Sequence, residues 1–525
     1  MLLVSASVAH AQVWRPDLGD GRYRNPVIFA DYSDPDVIRV GDDFYLTSSS
    51  FGAVPGLPIL HSTDLVNWRI VGHALVRLPA AFDSVQHGNG VWAPSLRHHA
   101  GWFYIYYADP DRGIYMVRAR DPRGPWRPPV LVHAARGWED PCPFWDADGR
   151  AYLVHAFAGS RAGIKSVLHV SRMSRDGTRL IGPDSLVYDG HASDPTIEGP
   201  KLYRRNGWYY IFAPAGGVTG GWQTVLRSRD VFGPYERRIA LAQGMTNVNG
   251  PHQGAWVTLA NGDDWFVHFQ DLGANGRVTW LEPMVWRDDW PTIGEDVRGD
   301  GTGQPVLVAS KPRVRKPSAP DAPQTSDDFT STALGKQWQW PANPRRSWYS
   351  LSAHRGWLRL YARPERGNLW NTPSVLLQKI PAPMFTVTAA VAVPKDTGVV
   401  AGLVVLGADY AYVGVRRTAE GAEVVQVTDS GAASGAPERI VGRIPVPDLR
   451  EPVRLRMYVV DGPLCRFAYA TGSESSFHGI GTMFHATGGR WVGASLGLFV
   501  TTTGKPLARS FADFDYFQFT PHPFL

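Results

Sequence analysis

Two cysteines in 525 residues, Cys142 and Cys465, are too few and too far apart for a disulfide framework or a thiolate metal centre. They read as two free thiols. No apolar run approaches the ~18 residues of a membrane-spanning helix. Charged residues make up only 19% of the chain, and the net charge of +5 is spread along it. The one dense basic run, KPRVRK at 311–316, lies among prolines and reads as solvated linker, so nucleic acid is not an expected partner. HExxH, paired CxxC, GxxxxGK[ST] and GxSxG are all missing, which leaves zinc-peptidase, P-loop and α/β-hydrolase chemistry without support. The glycine-rich PAGGVTGGW at 214–222 lacks the lysine and helix of a phosphate loop and reads as a tight loop.

What the chain does have is aromatic and apolar residues, at 12% and 44%, and enough length for two or three domains with cores of their own. Its start, MLLVSASVAHAQ, pairs a short apolar stretch with the small-x-small site Ala9-His10-Ala11 and has no positive charge ahead of it. An incomplete export signal, and hence a secreted or periplasmic protein, is the expectation.

Five related phrases recur along the first 300 residues at a spacing of roughly fifty. They are DPDVIRVGDDFYLTSSS from Asp34, APSLRHHAGWFYIYYAD from Ala93, DPCPFWDADGRAYLVHAF from Asp140, EGPKLYRRNGWYYIFAPAG from Glu198 and PHQGAWVTLANGDDWFVHFQ from Pro251. Each is an apolar run, a turn at a glycine (Gly41, Gly101, Gly149, Gly207, Gly262) and an aromatic-rich run, the pattern of a β-hairpin. Further strands lie between the phrases, and helical periodicity is hard to find. Repeated four-stranded units of this size close radially, so an all-β, five-bladed propeller is expected.

In such a propeller the first strand of each phrase lies innermost, and Asp34, Asp140 and Glu198 converge on the mouth of the channel from equivalent positions of three blades. Proline after the acid costs no ladder bond, and the residue before proline is biased to extended geometry. Carboxylates facing across a pocket, one protonated and one ionised, suit glycoside hydrolysis, with a third acid raising the donor's pKa. Phe51, Trp92 and Trp222, near the starts or turns of the phrases, are candidate sugar platforms, each with the alternative of a core aromatic.

The ordered set from NPV at Asn25 through DYSDPDVIRV, WAPSLRHH, EDPCPFWDADG, EGPKLYRRNGWYYIFAPAGG and GPHQGAW resembles glycoside hydrolase family 43 over most of residues 23–300. The resemblance implies a five-bladed propeller and an inverting hydrolase of β-xylosides, α-L-arabinofuranosides or arabinans. It implies Asp34 as general base, Glu198 as general acid and Asp140 as the acid that tunes and orients Glu198. Arg277 matches a substrate-contacting arginine. His252 matches a histidine near the axis that in some members serves a calcium or sodium site through water; a hydrogen-bonded core histidine is the alternative, and no cofactor is expected to be required. Cys142 stands where a small residue is common and is expected to perturb local packing slightly.

The stretch 310–326, SKPRVRKPSAPDAPQTS, is expected to be a linker between a propeller at 23–309, preceded by an arm and signal remnant at 1–22, and a second domain at 327–525. About ten strand-like segments in that last part indicate a β-sandwich, which resembles the concanavalin-like domain of the β-xylosidase-type branch. The combination points to an exo-acting enzyme on xylo- or arabinoxylo-oligosaccharides, first a β-D-xylosidase and second an α-L-arabinofuranosidase, with a loop of the sandwich expected to wall the pocket. A non-catalytic sugar-binding propeller is the more distant alternative, and the oligomeric state is left open.

Overall fold

The computed structural model describes residues 12–364, 367–502 and 510–522, and the signal-like start falls outside them. The chain divides into two compact units, Pro16–Pro323 and Gln324 onward together with the residues before Pro16.

The first unit contains five four-stranded antiparallel sheets, each with its strands in sequence order, spanning 36–75, 92–134, 138–189, 201–242 and 252–293. These are blades I to V of a propeller. The first strand of each blade, Asp36–Val40, Trp92–His99, Trp138–Trp145, Lys201–Arg205 and His252–Thr258, packs toward the axis, and blade V meets blade I to close the ring. All five predicted glycine turns are real: Gly41, Gly101, Gly149, Gly207 and Gly262 have φ between +68° and +89°, a region that costs other residues strain.

Side-chain alternation explains why the blades stack. In the second strand of blade II, Trp102–Asp109, Phe103 and Ile105 point into a core shared with blade I, and Tyr104 and Tyr106 into one shared with blade III. Both faces of the strand are buried, so the run reads as continuously apolar although its period is two. Phe212, Val225, Phe266 and Met284 fill the gap between blades IV and V in the same way, and Val37, Phe44, Val257 and Trp265 that between V and I. The ring is also pinned by the segment ahead of blade I. Asn25 exchanges hydrogen bonds with Leu281 of blade V, at 2.8 and 2.9 Å, and Arg22–Arg24 pairs with Val308–Ser310.

Most of the expected linker lies along this unit: Lys311 binds Asp17 at 2.5 Å and Asp64 at 3.1 Å, and the Asp321 amide donates to Asn67. The second unit is a β-sandwich of two seven-stranded antiparallel sheets, apart from one short parallel pairing. It has fourteen strands among the described residues against about ten expected; two of the extra ones, Tyr349–Ser350 and Arg363–Pro364, are two residues long and carry no periodic signal.

Beneath the channel mouth lies a buried ionic bracket. Lys201, fully buried on blade IV, donates to Pro94 O at 2.9 Å and Ser95 Oγ at 2.7 Å on blade II, with Asp36 of blade I at 3.9 Å. Asp36 in turn accepts from the Leu96 amide and from Arg97, both at 2.7 Å. Three blades are thus tied by charges that water cannot reach. Lys201→Met is expected to destabilise the propeller by about 3–5 kcal/mol, because it leaves a buried carboxylate short of a cation. Urea denaturation followed by tryptophan fluorescence checks this; an unchanged midpoint would show that Arg97 alone satisfies Asp36.

Candidate active site

Each blade opens on a pair of residues followed by proline or glycine: Ser33-Asp34, Trp92-Ala93, Glu139-Asp140, Glu198-Gly199 and His252-Gln253. The second member is left-handed in all five, with φ of 55°, 27°, 56°, 58° and 36°. This corrects two expectations. Asp34 and Asp140 are not extended before their prolines; they occupy the left-handed region, which Asp tolerates better than most residues. Nor is Glu198 equivalent to Asp34 and Asp140: it sits one place earlier, and Gly199 takes the left-handed position. A side chain there would not fit, since a Cβ on Gly199 would come within 2.7 Å of Gln253.

The close approach lets the Gly199 amide donate to Asp140 Oδ2 at 2.7 Å, fixing the blade III acid against the residue that follows Glu198. Gln253 faces Asp140 from blade V without closing a hydrogen bond. Asp34 accepts from the Ser49 hydroxyl, which itself accepts the Ala93 amide of blade II at 2.7 Å, and has Arg277 Nη1 at 3.4 Å. Arg277 is only 9% exposed; its amide donates to Asp31, and its guanidinium stacks over Phe269, 4.9 Å from the ring centre. Ser49 escaped the sequence reading, because nothing local marks a serine forty-four residues away as the partner of Ala93.

Charge crowding sets the protonation states. Burial, with Asp34 next in importance, pushes Asp140 up to about 7. Glu198 is pushed up to about 8, first by loss of water and then by Asp140, with Arg277 opposing. Its side chain keeps 35% of its surface exposed. The shift favours the protonated form of Glu198. The cluster also holds Glu139, which the repeat reading passed over: it is 6% exposed and held well above the carboxylate range by burial, Asp140, Glu198 and Asp34 in that order. Aligning the phrases on their prolines instead of on their acids would have set Glu139 beside Glu198.

The aromatic candidates separate. Phe51 and Trp92 form an edge contact at 6.4 Å between ring centres, beside the blade I and II mouths, with Arg161 over the Trp92 ring. The Trp222 indole instead donates to Asp194 at 3.0 Å and packs against Gly216. Asp194 is fully buried, also binds Arg237, Thr224 and Tyr188, and accepts the Ile197 amide. Trp222 therefore braces the loop that carries Glu198, and no described contact joins it to the acids. Cys142 does more than fill space, since its buried sulfur takes the Leu202 amide at 3.3 Å and Arg97 Nη2 at 2.9 Å.

His252 has both ring nitrogens buried without a hydrogen-bond partner, and Nε2 lies 3.5 Å from Glu198 Oε1. Burial, with Arg277 and His268 adding to it, pushes it down to about 3 and keeps it neutral. A neutral imidazole with an orphaned lone pair on the axis fits a water, including one bound to a cation. Among the described residues, His155, His169 and Asp184 on blade III also group ligand-type side chains: Asp184 bridges the two histidines at 3.0 and 2.6 Å and accepts from Ser171.

A family model for glycosyl hydrolases family 43 matches residues 23–291, and one for the beta-xylosidase C-terminal concanavalin A-like domain matches 326–520. A provisionally named beta-xylosidase of Xylanibacter ruminicola is 39% identical over 92% of this chain and 87% of its own.

The chain belongs to glycoside hydrolase family 43.

Other family 43 relatives include a beta-xylosidase of Formosa agariphila, 32% identical over 94% of this chain and 90% of its own, and a non-reducing end alpha-L-arabinofuranosidase of Bacteroides ovatus, 32% identical over 75% of each. Among solved structures, the xylan beta-1,4-xylosidase of Bacillus halodurans superposes with a TM-score of 0.84 at 26% identity, over 95% of this chain and 99% of that one. The propeller and sandwich are those of this family, and the protein is a glycosidase.

Proposed function

We propose that this family 43 glycosidase is an exo-acting, inverting β-D-xylosidase that removes terminal xylose from xylo- or arabinoxylo-oligosaccharides. The reading rests above all on three carboxyls from three blades that meet at one funnel, where burial and then Asp140 raise Glu198 above the usual carboxylate range. Asp34, oriented by Ser49 and Arg277, takes the proton of the water that attacks the anomeric carbon. Glu198 delivers its proton to the departing glycosidic oxygen. Asp140 keeps Glu198 protonated through its own charge and, held by the Gly199 amide, steadies the turn on which Glu198 sits. Phe51 and Trp92 offer a wall for the sugar face, and Arg277 a donor for its hydroxyls. The orphaned nitrogens of His252 suit a hydrated calcium or sodium ion, which would brace the axis electrostatically.

The names of the relatives support pentose as the released sugar, and the Bacteroides ovatus relative's name supports α-L-arabinofuranosidase as the second reading. Initial rates on p-nitrophenyl β-D-xylopyranoside and p-nitrophenyl α-L-arabinofuranoside separate the two. Proton NMR of the first-formed product from the xyloside should show α-xylose before mutarotation. A β-anomer at early times would overturn inversion, and with it the role of Asp34 as base.

A further inference from the structure

The ring of residues that precede the left-handed turns provides a further assignment. Its five members are Ser33, Trp92, Glu139, Glu198 and His252, and the last two, on the adjacent blades IV and V, approach each other at 3.5 Å. Trp92 lies beside Phe51 at the funnel wall. Glu139 occupies the same position on blade III as Glu198 does on blade IV, and it feels the charges of Asp140, Glu198 and Asp34 together. The bulge between Glu139 and Cys142 interrupts the strand pairing at this point, and the left-handed Asp140 breaks the ordinary alternation, so two consecutive acids serve one pocket.

No hydrogen bond or ion pair reaches the Glu139 carboxyl among the described residues. The cation it senses, Arg161, is committed to Asp111, Asn89 and Ser160 at 2.9–3.0 Å. An acid that is 6% exposed and unpaired is costly to fold around. No contact of the fold among the described residues engages it, which leaves the carboxyl available to a ligand. Burial, with Asp140, Glu198 and Asp34 adding to it, favours the neutral form, in which a carboxyl both donates and accepts. That is the chemistry that recognises a sugar hydroxyl.

We propose that Glu139 hydrogen-bonds a ring hydroxyl of the terminal pentose and thereby sets which pentose the pocket accepts. The proposal rests on the functional reading above and deepens it. Xylopyranose and arabinofuranose present their hydroxyls in different directions, and a buried polar group discriminates strongly against a ligand that leaves it unpaired.

The test compares Glu139→Gln and Glu139→Leu with wild type on both p-nitrophenyl pentosides, measuring kcat and KM separately. Glu139→Leu should raise KM for the preferred sugar by about 10–100-fold and change the ratio of the two kcat/KM values at least about tenfold. Glu139→Gln, which keeps shape, a donor and an acceptor, should lose less. Thermal midpoints identify any loss of fold, and if Glu139→Leu does not fold, the ratio in Glu139→Gln decides, with a shift of at least about threefold required. Equal proportional losses on both sugars, or none, would overturn the role of Glu139 while leaving the enzyme a pentosidase. A wild type that cleaves neither pentoside would overturn the functional reading itself.

Discussion

Asp34→Asn is expected to lower kcat on p-nitrophenyl β-D-xylopyranoside by about 10²–10⁴-fold with little change in KM, the range a positioned general base contributes. The substitution is isosteric: Arg277 keeps the one remaining oxygen on its side, the Ser49 hydroxyl on the other side turns to accept from the new amide, and the pocket keeps its shape. What disappears is the ability to take a proton from the attacking water. The variant should therefore fold with an unchanged thermal midpoint and bind xylose normally by calorimetry. If external azide restored turnover, water activation would be isolated as the missing step. Turnover within a few-fold of wild type would remove Asp34 from the base role and point to another carboxyl of the cluster, Asp140 being the nearest alternative in chemistry.

Glu198→Gln carries the second large effect, and its size depends on the leaving group. The second xylose of xylobiose departs as a sugar alkoxide unless its oxygen is protonated, so xylobiose hydrolysis should fall by about 10²–10⁴-fold. A nitrophenolate leaves unaided, and its release should fall far less. The pH profile sharpens the test. Glu198 is raised to about 8 by burial and by Asp140, so the active protonated form predominates below that pH and is lost as the pH rises through it. Asp140, raised to about 7, shares the same protons, and the alkaline limb of kcat/KM belongs to the cluster as a whole. With an activated substrate that limb should flatten in Glu198→Gln. An unchanged limb and equal losses on both substrates would mean that Glu198 is not the proton donor.

Much of this site was legible in the chain. The Asp-Pro and Glu-Gly-Pro phrases marked three of the acids, because a proline at the head of a strand is a local event with a local signature. The glycine turns marked the hairpins for the same reason, since φ near +80° is a cost that glycine escapes. Glu139 was hidden by its neighbour: in a regular strand consecutive residues face opposite ways, and only the left-handed Asp140 brings both to the funnel. Trp222 has a partner that no local signal shows: its indole nitrogen donates to Asp194, a residue twenty-eight positions earlier.

The second acid of Asp34-Pro35-Asp36 makes the division plain. By itself the sequence determined that strands would alternate with glycine turns, that the units would repeat five times and close, and that acids would stand at the strand heads. Those properties follow from backbone propensity and side-chain period, which act over a few residues. Only the tertiary structure decided that Asp34 faces the funnel while Asp36, two residues on, is buried with Arg97 and Lys201 as the bracket beneath it. It alone shifted Glu198 one place from its supposed equivalents and set Glu139 in the pocket. The reason is that protonation and pairing depend on which charges lie within a few ångströms across the axis, and those distances exist only after blades more than fifty residues apart in the chain have closed into a ring.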